Sequence, residues 1–262
     1  MLSFSDAELA RWLGSFFWPF LRTLALFAAA PGFSSVAIPV RVKVALAFVV
    51  AVVLATAIRP SAPLDLSWTA LILVIEQIAV GLAIGFAMQL ALGAMAFAGD
   101  LVGVQMGFGF AGLLDLQSGF EVPVMSNFFS LVGLLLFLGL NGHLLLLGVL
   151  VKSFTIVPLV PARGIAPAGW HALAGAGALL FQLGVWLALP IIAILLTAEL
   201  AVALVSRVAP QINLMSVGFS VFMWVGVAAT IGLLPFFIPA VEHMIALGWR
   251  LALAVLTGGR AP

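Results

Sequence analysis

The chain has 262 residues, of which 65% are hydrophobic and only 7% are charged. A soluble domain carries about a quarter charged residues, so this composition excludes an ordinary soluble domain and predicts a membrane protein. With a net charge of +1, the chain lacks the excess of basic residues that is typical of proteins that bind nucleic acid. The absence of cysteine excludes disulfides and thiolate chemistry.

Apolar runs along the chain predict the membrane-spanning helices, because a helix of about 20 apolar residues crosses the hydrocarbon layer. Charge-free runs lie at 44–58, 77–99, 122–151, 164–198 and 208–241, with weaker apolar runs at 12–30 and 244–257. We therefore expect an all-α membrane protein with about six to eight long, kinked hydrophobic helices arranged as hairpins. Lysine and arginine are spread almost evenly, so the positive-inside rule gives no orientation.

Glycines recur at intervals of about four residues in two neighbouring segments, a pattern that lets helix backbones approach closely in a membrane. The glycines of this stripe are Gly81, Gly85, Gly93, Gly99 and Gly103. We expect the two segments to pack against each other as a helical hairpin. Contact of either segment with another subunit is the alternative.

Acidic side chains within apolar runs are candidates for function, because burying a charge in lipid is costly. Glu76, Asp100 and Glu199 are such residues, but no two of them lie three or four positions apart. A solvated helix end or a distant arginine partner is the simpler expectation for each. Motifs of intramembrane hydrolases are absent, so we predict no catalytic residue, no metal site and no cofactor.

The segment GVQMGFGFAGLLDLQSG at 103–119 is dense in glycine, which costs about 1 kcal/mol per residue inside a helix. It therefore predicts a bent or re-entrant loop, which must be buried in protein or line an aqueous path. Met106, Phe108 and Phe110 would project into that space, and apolar constrictions of this kind close pores. An ordinary interhelical turn packed in the core is an equally good interpretation of these residues.

Two polar segments interrupt the second half of the chain. The linker VKSFTIVPLVPARGIAPAGW contains three prolines, which indicates an irregular connection between a front and a back part. The second segment, SRVAPQINLMSVGF at 206–219, predicts a helix break with a tight hairpin tip. This tip is either a structural elbow or a docking point.

Four segments together resemble one family of membrane proteins. They are PGFSSVAIPVRVKVALA at 31–47, QMGFGFAGLLD at 105–115, LLFLGLNGHLLLLGVLVKSF at 135–154 and RVAPQIN at 207–213. In this order they are similar to the FliR family of type III export-gate subunits, which flagella and injectisomes share. The similarity runs from about residue 8 to residue 250.

The resemblance implies a non-enzymatic subunit of the flagellar export gate in the bacterial inner membrane, within the basal body. One copy would assemble with FliP and FliQ homologues beside FlhB, and unfolded exported proteins would pass through the shared channel. Residues 1–155 would form a FliP-like half and residues 170–262 a FliQ-like helical hairpin, joined by the linker at 156–169. The runner-up interpretation is a small-solute or ion transporter, in which Glu76 and Glu199 would carry transport.

The resemblance also places the plug loop, and two further sets of residues are expected to act in assembly. The plug loop that closes the channel would consist of Gln105, Met106, Gly107, Phe108, Gly109, Phe110, Gly112, Leu113, Leu114 and Asp115. The hairpin tip used in assembly would consist of Arg207, Pro210, Gln211 and Asn213. Further polar contacts in assembly would involve Asn141, His143 and Glu199. Family members often have Val-Asp-Pro at the end of the loop, where this chain has Leu-Asp-Leu at 114–116, so the far boundary of the loop is not fixed.

Overall fold

The computed structural model describes residues 6–35, 38–58, 67–108, 123–161, 163–208 and 214–259, with side chains from residue 13 and, after 213, from residue 218. These residues form helices and turns without a β-strand, which confirms the predicted all-α class. The helices are α1 (Asp6–Ala29), α2 (Val40–Ile58), α3 (Trp68–Gln105), α4 (Val124–Gly139), α5 (Gly142–Ile156), α6 (Pro167–Gly175), α7 (Gly177–Val208) and α8 (Leu214–Thr257).

Several helix ends have a clear local cause. Pro167 occupies the first turn of α6, where its missing N–H would have no helical partner. Asn141 separates α4 from α5 in the left-handed conformation, with φ 58°. At the end of α8, Gly258 is left-handed and the N–H of Gly259 donates to the carbonyl of Ala254 at 2.8 Å, which is a Schellman motif.

Long apolar helices dominate the described part of the chain. Four stretches are long and apolar enough to cross a membrane, namely α2, α3, Pro167–Val208 and Gly218–Thr257, while α4 and α5 meet this condition only together, as one broken span. Pro190 lies within α7, and Pro235 and Pro239 lie within α8. The chain is thus a multi-pass membrane protein, as its composition predicts.

The chain folds into two compact units that alternate along the sequence. The first contains residues 1–90, 141–177 and 245–262. Its core includes the buried Trp18, Ala70 and Leu73, against which Phe17 and Leu21 pack. Helices α1 and α2 also contact each other here through Phe16 and Phe48, whose ring centroids are 4.9 Å apart.

The second unit contains residues 91–140 and 178–244. Phe129 of α4 and Phe237 of α8 are both buried, and their ring centroids are 5.0 Å apart. Helix α3 meets α7 through Phe97 and Phe181, at 5.1 Å, next to the close approach of Gly184 to Phe97. Aromatic contacts therefore join the four helices of this unit in pairs.

Two predicted boundaries are wrong. The glycine segments around Gly81 and Gly99 do not form a hairpin, because α3 runs without a break from Trp68 to Gln105. Asp100 does not interrupt α3, and its side chain is exposed rather than buried against another helix. Similarly, the apolar run at 244–257 and the preceding run from residue 214 onward belong to one helix, α8, in which Glu242 and His243 are exposed.

Candidate functional site

The glycine-rich segment begins at the end of α3. Helix α3 extends through Gly103 to Gln105, so the irregular backbone starts about three residues later than the sequence predicts. The N–H of Gly107 donates to the carbonyl of Val104 at 3.0 Å, which tightens the last turn. Gly107 then has φ +85°, a conformation that side chains with a Cβ rarely adopt. The chain therefore turns out of the helix at this glycine.

Helix α8 packs against the residues at this turn, and the contact between Met106 and Gly226 is called the seat. Met106 is fully buried, and its Cγ, Sδ and Cε atoms lie 2.6 to 2.8 Å from the position that a Cβ on Gly226 would take. Any larger residue at 226 would displace Met106. A Cβ on Gly107 would lie 3.1 Å from the ring of Phe219, so a second residue of α8 contacts the turn.

A polar contact holds the last residue of α3 to α7. The side-chain amide Nε2 of Gln105 donates to the carboxylate Oε1 of Glu199 at 2.8 Å, and both side chains are half-buried. The sequence assigned Gln105 to the plug loop and Glu199 to assembly contacts, and the structure brings the two together. A charge-assisted bond of this kind is among the stronger polar contacts in proteins.

Only two of the remaining predicted loop and tip residues lie within the described part of the chain. Phe108 is half-buried, one residue after the turn. Arg207 is exposed in the last turn of α7. The others lie outside the described residues, and they are Gly109, Phe110, Gly112, Leu113, Leu114, Asp115, Pro210, Gln211 and Asn213.

The glycine stripe of α3 divides into two kinds of position. A Cβ on Gly81 or Gly85 would meet the backbone of α1, and a Cβ on Gly99 would meet the backbone of α4 at Met125 and Ser126. At this last approach the Ser126 hydroxyl donates to the carbonyl of Ala96 at 2.9 Å. Gly93 and Gly103 meet only side-chain atoms, at 3.3 and 3.4 Å.

Asn141 and His143 belong to the first unit, whereas Glu199 belongs to the second. Asn141 is exposed at the junction of α4 and α5. His143 lies at the start of α5 and lines an apolar cavity of about 260 Å³ together with residues of α1 and α2, including Leu26, Phe27 and Leu46. Its Nδ1 atom is buried and has no hydrogen-bond partner among the described residues.

A buried arginine lies outside the residues predicted from the sequence. Arg22 of α1 is fully buried, and its guanidinium donates to Gln77 Oε1 at 2.8 Å, Ser153 Oγ at 2.9 Å and the Val157 carbonyl at 3.0 Å. It also lies 4.0 Å from the centroid of the Phe154 ring. The sequence carries a signal for this site, because Arg22 is a charged residue inside an apolar run and such a charge needs polar partners.

The described residues offer no cluster for metal chemistry, since nowhere in them do three or more histidine, aspartate or glutamate side chains come together. The site is instead built from a helix end, a left-handed glycine, a buried methionine and one amide–carboxylate contact. These elements fix the point at which the chain leaves α3.

The fold and the site together define a multi-pass α-helical membrane protein with a glycine-rich segment that starts at the end of a long helix. Comparison with known proteins identifies the family to which the chain belongs within this class. Residues 13–248 match the model of the family described as "Bacterial export proteins, family 1", and the chain belongs to this family.

Named relatives agree with the family match. The chain is 39% identical over 250 residues to the flagellar biosynthetic protein FliR of Escherichia coli strain K12, which covers 94% of each chain. It is 38% identical over 257 residues to the protein of the same name from Pectobacterium carotovorum, covering 98% of each chain. A FliR of Bacillus subtilis is 28% identical over 207 residues, which cover 78% of this chain and 80% of the relative. The protein is therefore a flagellar export-family protein.

Proposed function

We propose that this chain is a core subunit of the flagellar type III export gate, in which it forms a channel with FliP and FliQ homologues beside FlhB. Unfolded flagellar proteins are the cargo, and the complex resides in the inner membrane within the flagellar basal body. Membership of the export family and the FliR names of its relatives support this proposal.

In this proposal the linker separates two parts of the chain that have different roles in the assembly. Residues 1–155 take the place of a FliP-like protomer, and residues 170–262 that of a FliQ-like hairpin. In support, α5 ends at Ile156 and α6 begins at Pro167, so both of these helix ends fall within the proposed linker at 156–169. The two long helices α7 and α8, on either side of residues 209–213, supply the hairpin arms.

The observation that carries the plug proposal is the seat at the start of the loop. Met106 is fully buried next to Gly226, and Gly107 turns the chain out of α3. The following residues therefore leave from a fixed point of the protein. Phe108 and Phe110 fill the closed channel in this proposal and keep ions out, since a narrow apolar constriction expels water.

The plug proposal is tested by replacing Phe108 and Phe110 together with alanine in the assembled complex. We expect the ion leak across vesicles containing this complex to rise while the complex still assembles, because the apolar constriction is lost but the seat at Met106 remains. The matched control is Phe236→Ala, which removes an exposed phenylalanine of α8 and should leave the leak at the wild-type level. An unchanged leak in the double variant would refute the plug.

A further inference from the structure

We infer that the apolar cavity between α1, α2 and α5 is a lipid site. It holds one acyl chain of an anionic phospholipid, whose phosphate group is bound by Lys43 and Arg41. All lining residues of the cavity lie within the first compact unit. The inference concerns how the chain meets the membrane, so it does not depend on the proposed export function.

The wall of the cavity favours an apolar occupant. It exposes only apolar atoms, and its lining residues are Leu26, Phe27, Phe33, Leu46, Val50, His143, Leu146 and Leu147. Apolar cavities of about 150 Å³ stay dry and take up apolar molecules. This cavity measures about 260 Å³. The Nδ1 atom of His143 is buried away from the wall, so the wall offers an occupant no hydrogen bond. A hydrocarbon chain fits such a surface.

The lining residues of α2 and α5 can be reached from the lipid side. Leu46 is 37% exposed, and Val50 and Leu147 are only partly buried. Helix α2 is long and apolar enough to span a membrane, and most of it is not buried within the chain. An acyl chain of the surrounding bilayer therefore has a lateral route into the cavity.

The cavity lies near helix ends, where the headgroup of a bound lipid would be. Leu26 and Phe27 belong to the last turn of α1, and Phe33 belongs to the turn that follows. His143 belongs to the first turn of α5. Because spanning helices end near the headgroup layer, a lipid chain in this cavity stays connected to a headgroup at the membrane surface.

Lys43 lies at the rim of the cavity. Lys43, Leu46 and Val50 follow the spacing i, i+3 and i+7, which places them on one face of α2. Lys43 is the residue of this face nearest the helix start. Its Nζ atom donates to the carbonyl of Ser35 at 3.0 Å, two positions after the lining residue Phe33. An ammonium group has three donors, and this contact uses one of them.

The charge at this rim favours an anion. Arg41 is exposed two positions before Lys43. The sequence has no acidic residue between Glu8 and Asp65, and α5 contains none either. A basic residue near a membrane surface strengthens the binding of anionic lipid about fivefold. An apolar helix of a partner would fill the cavity but bring no charge to the rim, whereas an anionic phospholipid matches both features.

The site is tested with photoactivatable lipids. The protein, in the assembly in which it is extracted, is placed in phosphatidylcholine vesicles with a trace of phosphatidylglycerol that carries a diazirine in its acyl chain. Peptide mass spectrometry maps the residues labelled after irradiation. Residues 46–50 and 143–147 should be labelled at least about fivefold more strongly by this probe than by a phosphatidylcholine probe with the same chain.

Two variants separate the headgroup from the chain. Arg41→Gln combined with Lys43→Gln should bring the two probes to equal labelling at the cavity, because the rim charge is lost. The matched control is Lys152→Gln combined with Arg250→Gln, which removes two exposed basic residues outside the site and should preserve the preference.

Leu46→Trp fills the cavity and should lower the labelling of residues 143–147 at least about tenfold, since each displaced methylene weakens binding about fourfold. Its control is Val44→Trp, at an α2 residue that is also 37% exposed but does not line the cavity.

Each part of the inference can fail separately. Equal labelling by the two probes in the wild type, or an unchanged preference in the Arg41 and Lys43 double variant, would overturn the anionic headgroup. If neither probe labels residues 143–147, as expected for a partner helix seated in the cavity, the lipid site itself is overturned.

Discussion

At the scale of single residues, Arg22 shows how this apolar protein accommodates a buried charge. Its three hydrogen-bond acceptors belong to α3, to α5 and to the residue that follows α5. Phe154 adds a ring face 4.0 Å away, and such faces attract cations. The side chain of Arg22 therefore joins three chain segments of the first unit, and its loss would leave several buried acceptors without a donor.

We predict that Arg22→Met lowers the free energy of unfolding by about 3 kcal/mol, because hydrogen bonds to charged groups are lost and their buried acceptors stay unpaired. Thermal unfolding of the purified protein in detergent measures this effect. Arg250→Met removes an exposed arginine of α8 and should change stability little. Equal unfolding temperatures for the two variants would contradict a structural role for the Arg22 cluster.

At the scale of elements, α3 organises both units through close approaches to other helices. Gly81 and Gly85 admit the backbone of α1, and Gly99 admits that of α4. The residue spacing alone predicted close packing, but it did not predict the partners. Those are set by distant parts of the chain, which a local pattern cannot specify.

We predict opposite effects of one methyl group at two glycines of this helix. Gly85→Ala should destabilise the protein by about 1–3 kcal/mol, because the new Cβ would lie 2.6 Å from the Leu26 carbonyl oxygen. Gly103→Ala should be neutral or stabilising by up to about 1 kcal/mol, since alanine favours helix and its Cβ would meet only a side chain, at 3.4 Å. Thermal unfolding of both variants measures these changes in stability. Equal destabilisation would show that the backbone approach does not matter.

Helix α3 also shows which features of the structure could be predicted from the sequence and which could not. Apolar runs identified the helical class and most spans, because hydrophobic length is a local property. The end of α3 was placed too early, since Gly103 favoured a loop on propensity alone, whereas this residue lies within the helix and next to the Met125 side chain. The contact between Gln105 and Glu199 could not be predicted at all, because it depends on how α3 and α7 meet.

At the scale of the whole molecule, extensive apolar surface remains exposed on the described helices. Only Ala47, Ala51 and Leu54 of α2 are buried, and large side chains such as Leu200 and Trp224 are about two-thirds exposed, at 67% and 70%. Helix α3 has 38 residues and rises about 57 Å, nearly twice the thickness of the hydrocarbon layer. Lipid can cover apolar surface within the hydrocarbon layer, but α3 is longer than that layer is thick. Partner subunits that cover its remaining length would fit the proposed assembly.

The central claim, that this chain works as one subunit of a mixed assembly, is tested most directly by native mass spectrometry. The detergent-extracted protein is measured after expression alone and after expression together with its FliP and FliQ homologues. We predict a large complex that contains one copy of this chain together with several copies of the others. A lone monomer or homodimer that forms whether or not those partners are present would contradict the claim.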